Sequence, residues 1–212
     1  MLSVQYLRNV PLPEGLTNDV ILKALADTQD FFSMILQNAG INLSAIIQAN
    51  NFSGIVSNVF TKKLSDISVY HSYHDQRYPD LMHESKPIGL EVKASNKPMK
   101  GGEGHNGHSG WHIVVCYQIL PNGNIEFTHV EIANLIGYEA QNSDWKYLGS
   151  KRNDNESQRT ETYITTNIGT AKLRDGSVYL NPHFVTITPH LQRNRDKLSA
   201  ELPIPAFSPF AN

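Results

Sequence analysis

Residues 113–120 constrain the fold of this 212-residue chain more than any other stretch. They read Ile-Val-Val-Cys-Tyr-Gln-Ile-Leu, apolar at nearly every position. A strand with one wet face alternates apolar and polar residues; one without alternation must be buried on both faces. The run therefore predicts a central strand in a sheet covered on both sides. Pro121-Asn122-Gly123-Asn124 follows, and Asn-Gly is a strong hairpin signal. The returning strand is expected over residues 125–132. Its alternation changes phase near His129, which implies a bulge or an early strand end.

The first third reads as helical. Over residues 16–39, Ile21, Leu25, Phe32 and Leu36 share one face at helical spacing. Thr17 or Asn18 is the expected N-cap, and Gly40 sits at a stop position. A short helix is expected over 43–49. A third is expected to be capped by Ser53, with Val56, Val59, Phe60 and Leu64 facing inward. After Asp66 short β-rich runs alternate with turns. Strands are expected at 88–93, 163–166, 177–180 and 184–188, a loop at 141–161, and a surface-wrapping tail at 202–212.

This pattern predicts an α+β fold: a mixed central sheet flanked by helices, in one domain over 1–212. Within it, residues 1–65 form a helical subregion, 66–135 a core, and 136–212 loops and strands. Eighteen Lys and Arg against twenty Asp and Glu leave a formal charge of -2, so a nucleic-acid partner would need a local basic cleft rather than bulk charge. The single cysteine, Cys116, excludes an intrachain disulfide and reads as a core residue. No signal-peptide pattern and no run approaching the roughly 20 apolar residues of a membrane span is evident. A reducing cytoplasm is the expected compartment.

Chemistry concentrates at Tyr78-Pro79-Asp80 and at residues 88–95, Ile-Gly-Leu-Glu-Val-Lys-Ala-Ser. In an extended strand Ile88, Leu90 and Val92 point one way, into the core. Gly89, Glu91 and Lys93 point the other way, with Gly89 expected to leave open space for a ligand. A turn over 83–87 would return the chain and bring Asp80 close to Glu91. Two carboxylates held together repel unless a cation neutralises them. Hard oxygen ligands favour Mg²⁺, with the Val92 backbone carbonyl as a further donor. Lys93 is placed to orient or deprotonate water, or to stabilise charge on a phosphate.

Pro79-Asp80, ten intervening residues and then Glu91-Val92-Lys93 resemble the motif of the PD-(D/E)XK nucleases, most closely the type II restriction endonucleases. The match covers residues 78–120, about a fifth of the chain. It implies a restriction-endonuclease-like fold and Mg²⁺-dependent hydrolysis of duplex DNA at a specific site, leaving a 5′-phosphate. Asp80 and Glu91 would bind the metal and Lys93 would complete the centre. It also implies a homodimer, with the helical first third as the dimerisation candidate, and no small-molecule cofactor. A departure is that residues 95–110, rich in Gly and His, do not read as the helix that many members place there.

Further DNA contacts are expected from that loop, through Lys97, Lys100, His105 and His108, and from Arg152, Gln158 and Arg159 in the polar stretch after it. His105, His108 and His112 lack an evident fourth ligand for zinc. Arg193, Arg195 and Lys197 read as a surface cluster. Two alternatives stay open: a repair, resolvase or transposition nuclease on the same core, and a non-catalytic DNA-binding module.

Overall fold

The computed structural model describes residues 2–73, 78–100, 103–105, 107–149 and 162–211. A six-stranded sheet carries the structure. Its order is β1 (Tyr70–Ser72), β2 (Leu81–His83), β3 (Gly89–Ser95), β5 (Gly110–Ile119), β6 (Ile125–Leu135) and β9 (Ser177–Leu180). β3 and β5 are parallel, and the other neighbours are antiparallel. A smaller antiparallel sheet holds β4 (Glu103–His105), β8 (Thr162–Thr165) and β7 (Trp145–Gly149), in that order.

β5 is the central strand that its composition demands. Ile113, Val115 and Tyr117 pack on one side, against Ile21, Leu25 and Phe32 of α1 (Asn18–Ala39) and Val56, Phe60 and Leu64 of α3 (Ala49–Ile67). Val114 and Cys116 point to the opposite side, against Trp145, Tyr163 and Leu173, the last from α4 (Asn167–Asp175). The chain is thus a mixed α+β protein, with a mixed central sheet flanked by helices.

Local signals set several boundaries. Thr17 Oγ1 caps α1 by accepting from the Val20 N–H, and Gly40 ends it in the left-handed region at φ 65°. Gly123, at φ 86°, turns the β5–β6 hairpin. Cys116 pairs with His129 and Tyr117 with Phe127, so Thr128 is the bulge residue behind the change of phase. β6 nevertheless continues to Leu135, because Ala133 and Leu135 are buried in the second cluster.

Other expectations are corrected. α2 is a single turn, Leu43–Ile46. α3 begins behind Gln48, so Ser53 lies inside it rather than capping it. The early start brings Phe52 onto the buried face, where its ring meets Phe32 at 5.5 Å and Tyr117 at 5.8 Å. The stretch 141–149 contains β7 rather than loop alone. Residues 184–188 form no strand: Phe184 and Val185 N–H groups donate to the Asn181 carbonyl in a turn, and Thr188 caps α5 (Pro189–Asp196). The sequence reading missed α4 and α5 altogether. No described helix is long and apolar enough to cross a membrane.

The described part of 95–110 holds no helix, as expected, but it is anchored. Met99 is 5% exposed, its N–H donates to His129 Nδ1 at 3.4 Å, and its carbonyl accepts from Arg174 Nε at 2.6 Å.

Arg195, expected on a surface face, is only 3% exposed. Its Nε and Nη2 clasp the Asp175 carboxylate at 2.8–3.2 Å. Nη1 and Nη2 also donate to the Leu202 and Pro203 carbonyls, and Ser208 Oγ donates to Asp175. The network ties α4, α5 and the tail together. Arg195→Ala would strand a buried carboxylate, at a cost of about 3–5 kcal/mol. Urea unfolding of the two proteins measures this, and a shared midpoint would show that the network carries no stability.

Candidate active site

The β2–β3 ladder ends at Leu81 opposite Leu90. The next inward-facing N–H of β3, that of Val92, therefore lacks a strand partner on that side. Asp80 Oδ2 accepts it at 2.8 Å. In return the Asp80 N–H donates to Glu91 Oε2 at 3.3 Å. Each carboxylate thus holds the backbone of the other's neighbourhood, and the pair is fixed at the end of the sheet. Lys93 Nζ donates to Glu91 Oε1 at 2.5 Å.

The electrostatics follow from this crowding. Burial first, then the Glu91 charge, raises the Asp80 pKa to about 6, against the lowering effects of the Val92 N–H and Lys93. Burial lowers the pKa of His112, which faces Glu91 across the β3–β5 pairing, while the Gly110 carbonyl and Glu91 oppose that shift. His112 Nδ1 donates to that carbonyl at 2.9 Å. Burial also pushes up the Tyr78 phenol, helped by Glu91 and Asp80; its hydroxyl donates to the Ser109 carbonyl at 2.6 Å. Tyr78 and His112 thus belong to the neighbourhood of the carboxylates, which the spacing of the motif alone did not indicate.

A cleft of about 430 Å³ opens beside this group. Asp80, Val92, Lys93 and Lys100 line it from the sheet side. The opposite wall is a polar stripe of α3: Asn50, Ser53, Gly54, Ser57 and Asn58. The spacing i, i+3, i+4, i+7, i+8 was legible in the sequence as the face beside the buried Phe52, Val56, Phe60 and Leu64. It was missed because Ser53 was assigned to a cap. Ser57 Oγ donates to the Val92 carbonyl at 3.1 Å, joining the two walls.

The donors at this point suit a hard divalent cation. They are two carboxylates and one carbonyl, all oxygen, and the carbonyl keeps a second lone pair beyond the bond from Ser57. Among the described residues no group of three or more His, Cys, Asp or Glu gathers, so a cation here would draw its remaining ligands from water or a substrate.

The other candidates divide. Lys100 borders the cleft. Lys97 is exposed and does not, its backbone N–H being held by Ser95 Oγ at 3.1 Å. His108 is exposed outside the cleft lining, with its ring 4.2 Å from Tyr78. The His105 backbone lies in β4, and its side chain falls outside the description. Arg152, Gln158 and Arg159 lie outside the described residues.

Gly89 does not leave open space for a ligand. A Cβ there would meet Pro79 Cγ at 2.2 Å and Met82 Sδ at 3.2 Å. The proline ring that precedes Asp80 already fills the position. Gly89→Ala should therefore push the Pro79-Asp80 segment off β3, costing about 1–3 kcal/mol of stability through overpacking. Urea unfolding checks this, and wild-type stability would mean that Pro79 yields freely.

No family model, curated protein or solved structure matches the chain.

Proposed function

We propose that the protein is a Mg²⁺-dependent endonuclease that hydrolyses phosphodiester bonds of double-stranded DNA, of the type II restriction endonuclease kind. The carrying observation is the clamp of Asp80, Glu91 and Val92 with Lys93 beside it, opening on a cleft with polar walls. The PD-(D/E)XK resemblance of the same residues, and the mixed sheet that displays them, support the reading.

Asp80, Glu91 and the Val92 carbonyl would hold the cation. When bound, Mg²⁺ polarises a phosphoryl oxygen and makes a nearby water more acidic. Asp80 and Glu91 fix the site by their mutual backbone bonds, so little reorganisation is left for the reaction. Lys93 Nζ, beside Glu91, orients the attacking water and stabilises the negative charge that grows on the phosphate. The water oxygen bonds to phosphorus as the bond to the 3′ oxygen breaks, leaving a 5′-phosphate and a 3′-hydroxyl. Tyr78 and His112 lie within electrostatic reach of the carboxylate pair. Cutting both strands of a palindromic site is most simply done by a two-fold homodimer.

The test is incubation of unmethylated plasmid and phage DNA with purified protein, in Mg²⁺ and in EDTA. Discrete fragments are expected in Mg²⁺ alone. Asp80→Asn and Glu91→Gln should abolish them, and Lys93→Met should slow cleavage by about 10²–10⁴-fold. Cutting confined to branched DNA would move the assignment to a repair or resolvase nuclease. An Asp80→Asn protein that cuts at the wild-type rate would sink the reading.

A further inference from the structure

The cleft beside Asp80 has an open strand edge in its sheet wall. Backbone groups of a strand alternate between its two edges. In β3 the outer edge receives those of Leu90, Val92 and Ala94, because the His83 N–H donates to the Ile88 carbonyl and Leu81 pairs with Leu90. The groups of Glu91, Lys93 and Ser95 turn inward to β5. β2 serves Leu90. Asp80 Oδ2 accepts from the Val92 N–H, and Ser57 Oγ donates to the Val92 carbonyl. Ala94 comes next. It is half-buried and lines the cleft, and among the described residues nothing bonds its N–H or its carbonyl on that edge.

The Val92 carbonyl, a candidate ligand of the cation, is thus followed directly by the Ala94 N–H. An acceptor for positive charge stands beside a donor for negative charge, on one edge of one cleft. A single free position is too short for an added β-strand, since strands run to about three residues or more, and β3 ends at Ser95, one residue further on. It suits a single acceptor atom. Backbone N–H groups regularly donate to phosphate oxygens. Such a donor is neutral, so it needs no surplus of lysines in a chain whose formal charge is -2. Across the cleft stands α3, whose exposed Asn50 and Asn58 line the facing wall.

We propose that the strand edge at Ala94 holds a backbone phosphate of the DNA strand being cut, its N–H donating to a non-bridging oxygen while the strand lies between β3 and the Asn58 side of α3. The inference rests on the nuclease reading and deepens it. Ala94 acts through its main chain, so nothing in the residue type announces the role.

The cut is first located with the wild type in Mg²⁺. Binding of fluorescein-labelled duplexes is then measured by anisotropy in Ca²⁺, another hard cation that takes oxygen ligands. Three of the duplexes carry one methylphosphonate linkage each, at the cut or at either neighbouring position. Replacing Ala94 by lactic acid in cell-free synthesis turns its N–H into an ester oxygen and keeps the methyl group. The same change at Ala200, exposed and outside the cleft lining, is the control. On an ordinary duplex the ester at position 94 should bind roughly 10-fold more weakly, as for one lost hydrogen bond to a charged group. The ester at position 200 should bind as the wild type. At one of the three methylphosphonate linkages the gap should close, because the partner of the N–H is gone. Asn58→Asp, of the same shape but anionic, should weaken binding several-fold, and Asn38→Asp on α1, outside the cleft lining, should not. An ester at position 94 that binds like the one at position 200, in a protein whose wild type cuts DNA, overturns the edge alone. So does a gap of equal size on every duplex, which marks a merely structural loss. Asn58→Asp at wild-type affinity also overturns it, because the strand then does not lie between the two walls. A wild type that neither binds nor cuts any duplex overturns the edge and the nuclease reading together.

Discussion

The candidate site depends on an unfinished ladder. β2 stops pairing at Leu81, and the Val92 N–H beyond it would be a buried donor without a partner. Such a group costs about 1–3 kcal/mol if left unmade. The Asp80 carboxylate removes that cost by standing in for the missing strand. Its own N–H is then held by Glu91, so two like charges become neighbours for a reason of backbone bonding. Burial first, and then the Glu91 charge, raises the Asp80 pKa, and Lys93 relieves part of that. A fold that completes its sheet with a carboxylate thereby places two acids side by side, with Lys93 against one of them.

The far side of the sheet determines where Lys100 sits. β5 sends Val114 and Cys116 away from α1 and α3, so a second layer must cover them, and α4 supplies Leu173 to it. The bulge at Thr128 puts His129 in register with Cys116. His129 Nε2 is within 2.7 Å of Ser177 Oγ, and Nδ1 accepts from Met99. One buried histidine thus links β6, β9 and the segment that carries Lys100. The position of a surface lysine at the mouth of the cleft is set by packing on the opposite face of the sheet.

Much of this was legible in the sequence because it rests on local or periodic signals. The unbroken run at 113–120 announced a strand buried on both faces, and Asn122-Gly123 announced its hairpin. The turn between Asp80 and Glu91 followed from their spacing, and the pairing of Met82 with Gly89 is its realisation. What escaped depends on tertiary context. α4 and α5 are short and poor in apolar residues, and α5 owes its place to Arg195, which looks like a surface residue until Asp175 is found opposite it. The strand expected at 184–188 failed because Val185 is buried in a turn, beside Met99 and Phe210. Gly89 was misread for a similar reason: its missing side chain makes room for a proline ten residues earlier, which strand alternation alone does not reveal.

α3 shows how one helix serves both the core and the cleft. Phe52, Val56, Phe60 and Leu64 are all at most 2% exposed and fix its rotation against the sheet. That rotation leaves Asn50, Ser53, Gly54, Ser57 and Asn58 facing β3. Ser57 bonds to the Val92 carbonyl and sets the separation of the walls. Gly54 has nothing within 4 Å of where a Cβ would stand, so no packing demand accounts for it. A glycine inside a helix costs about 1 kcal/mol relative to alanine. The core would tolerate a larger side chain there, since none of its atoms lies near. A bulky residue would instead narrow the cleft opposite Asp80 and Lys93. The width of that cleft is therefore set by the small residues of α3 and not by the core beneath them.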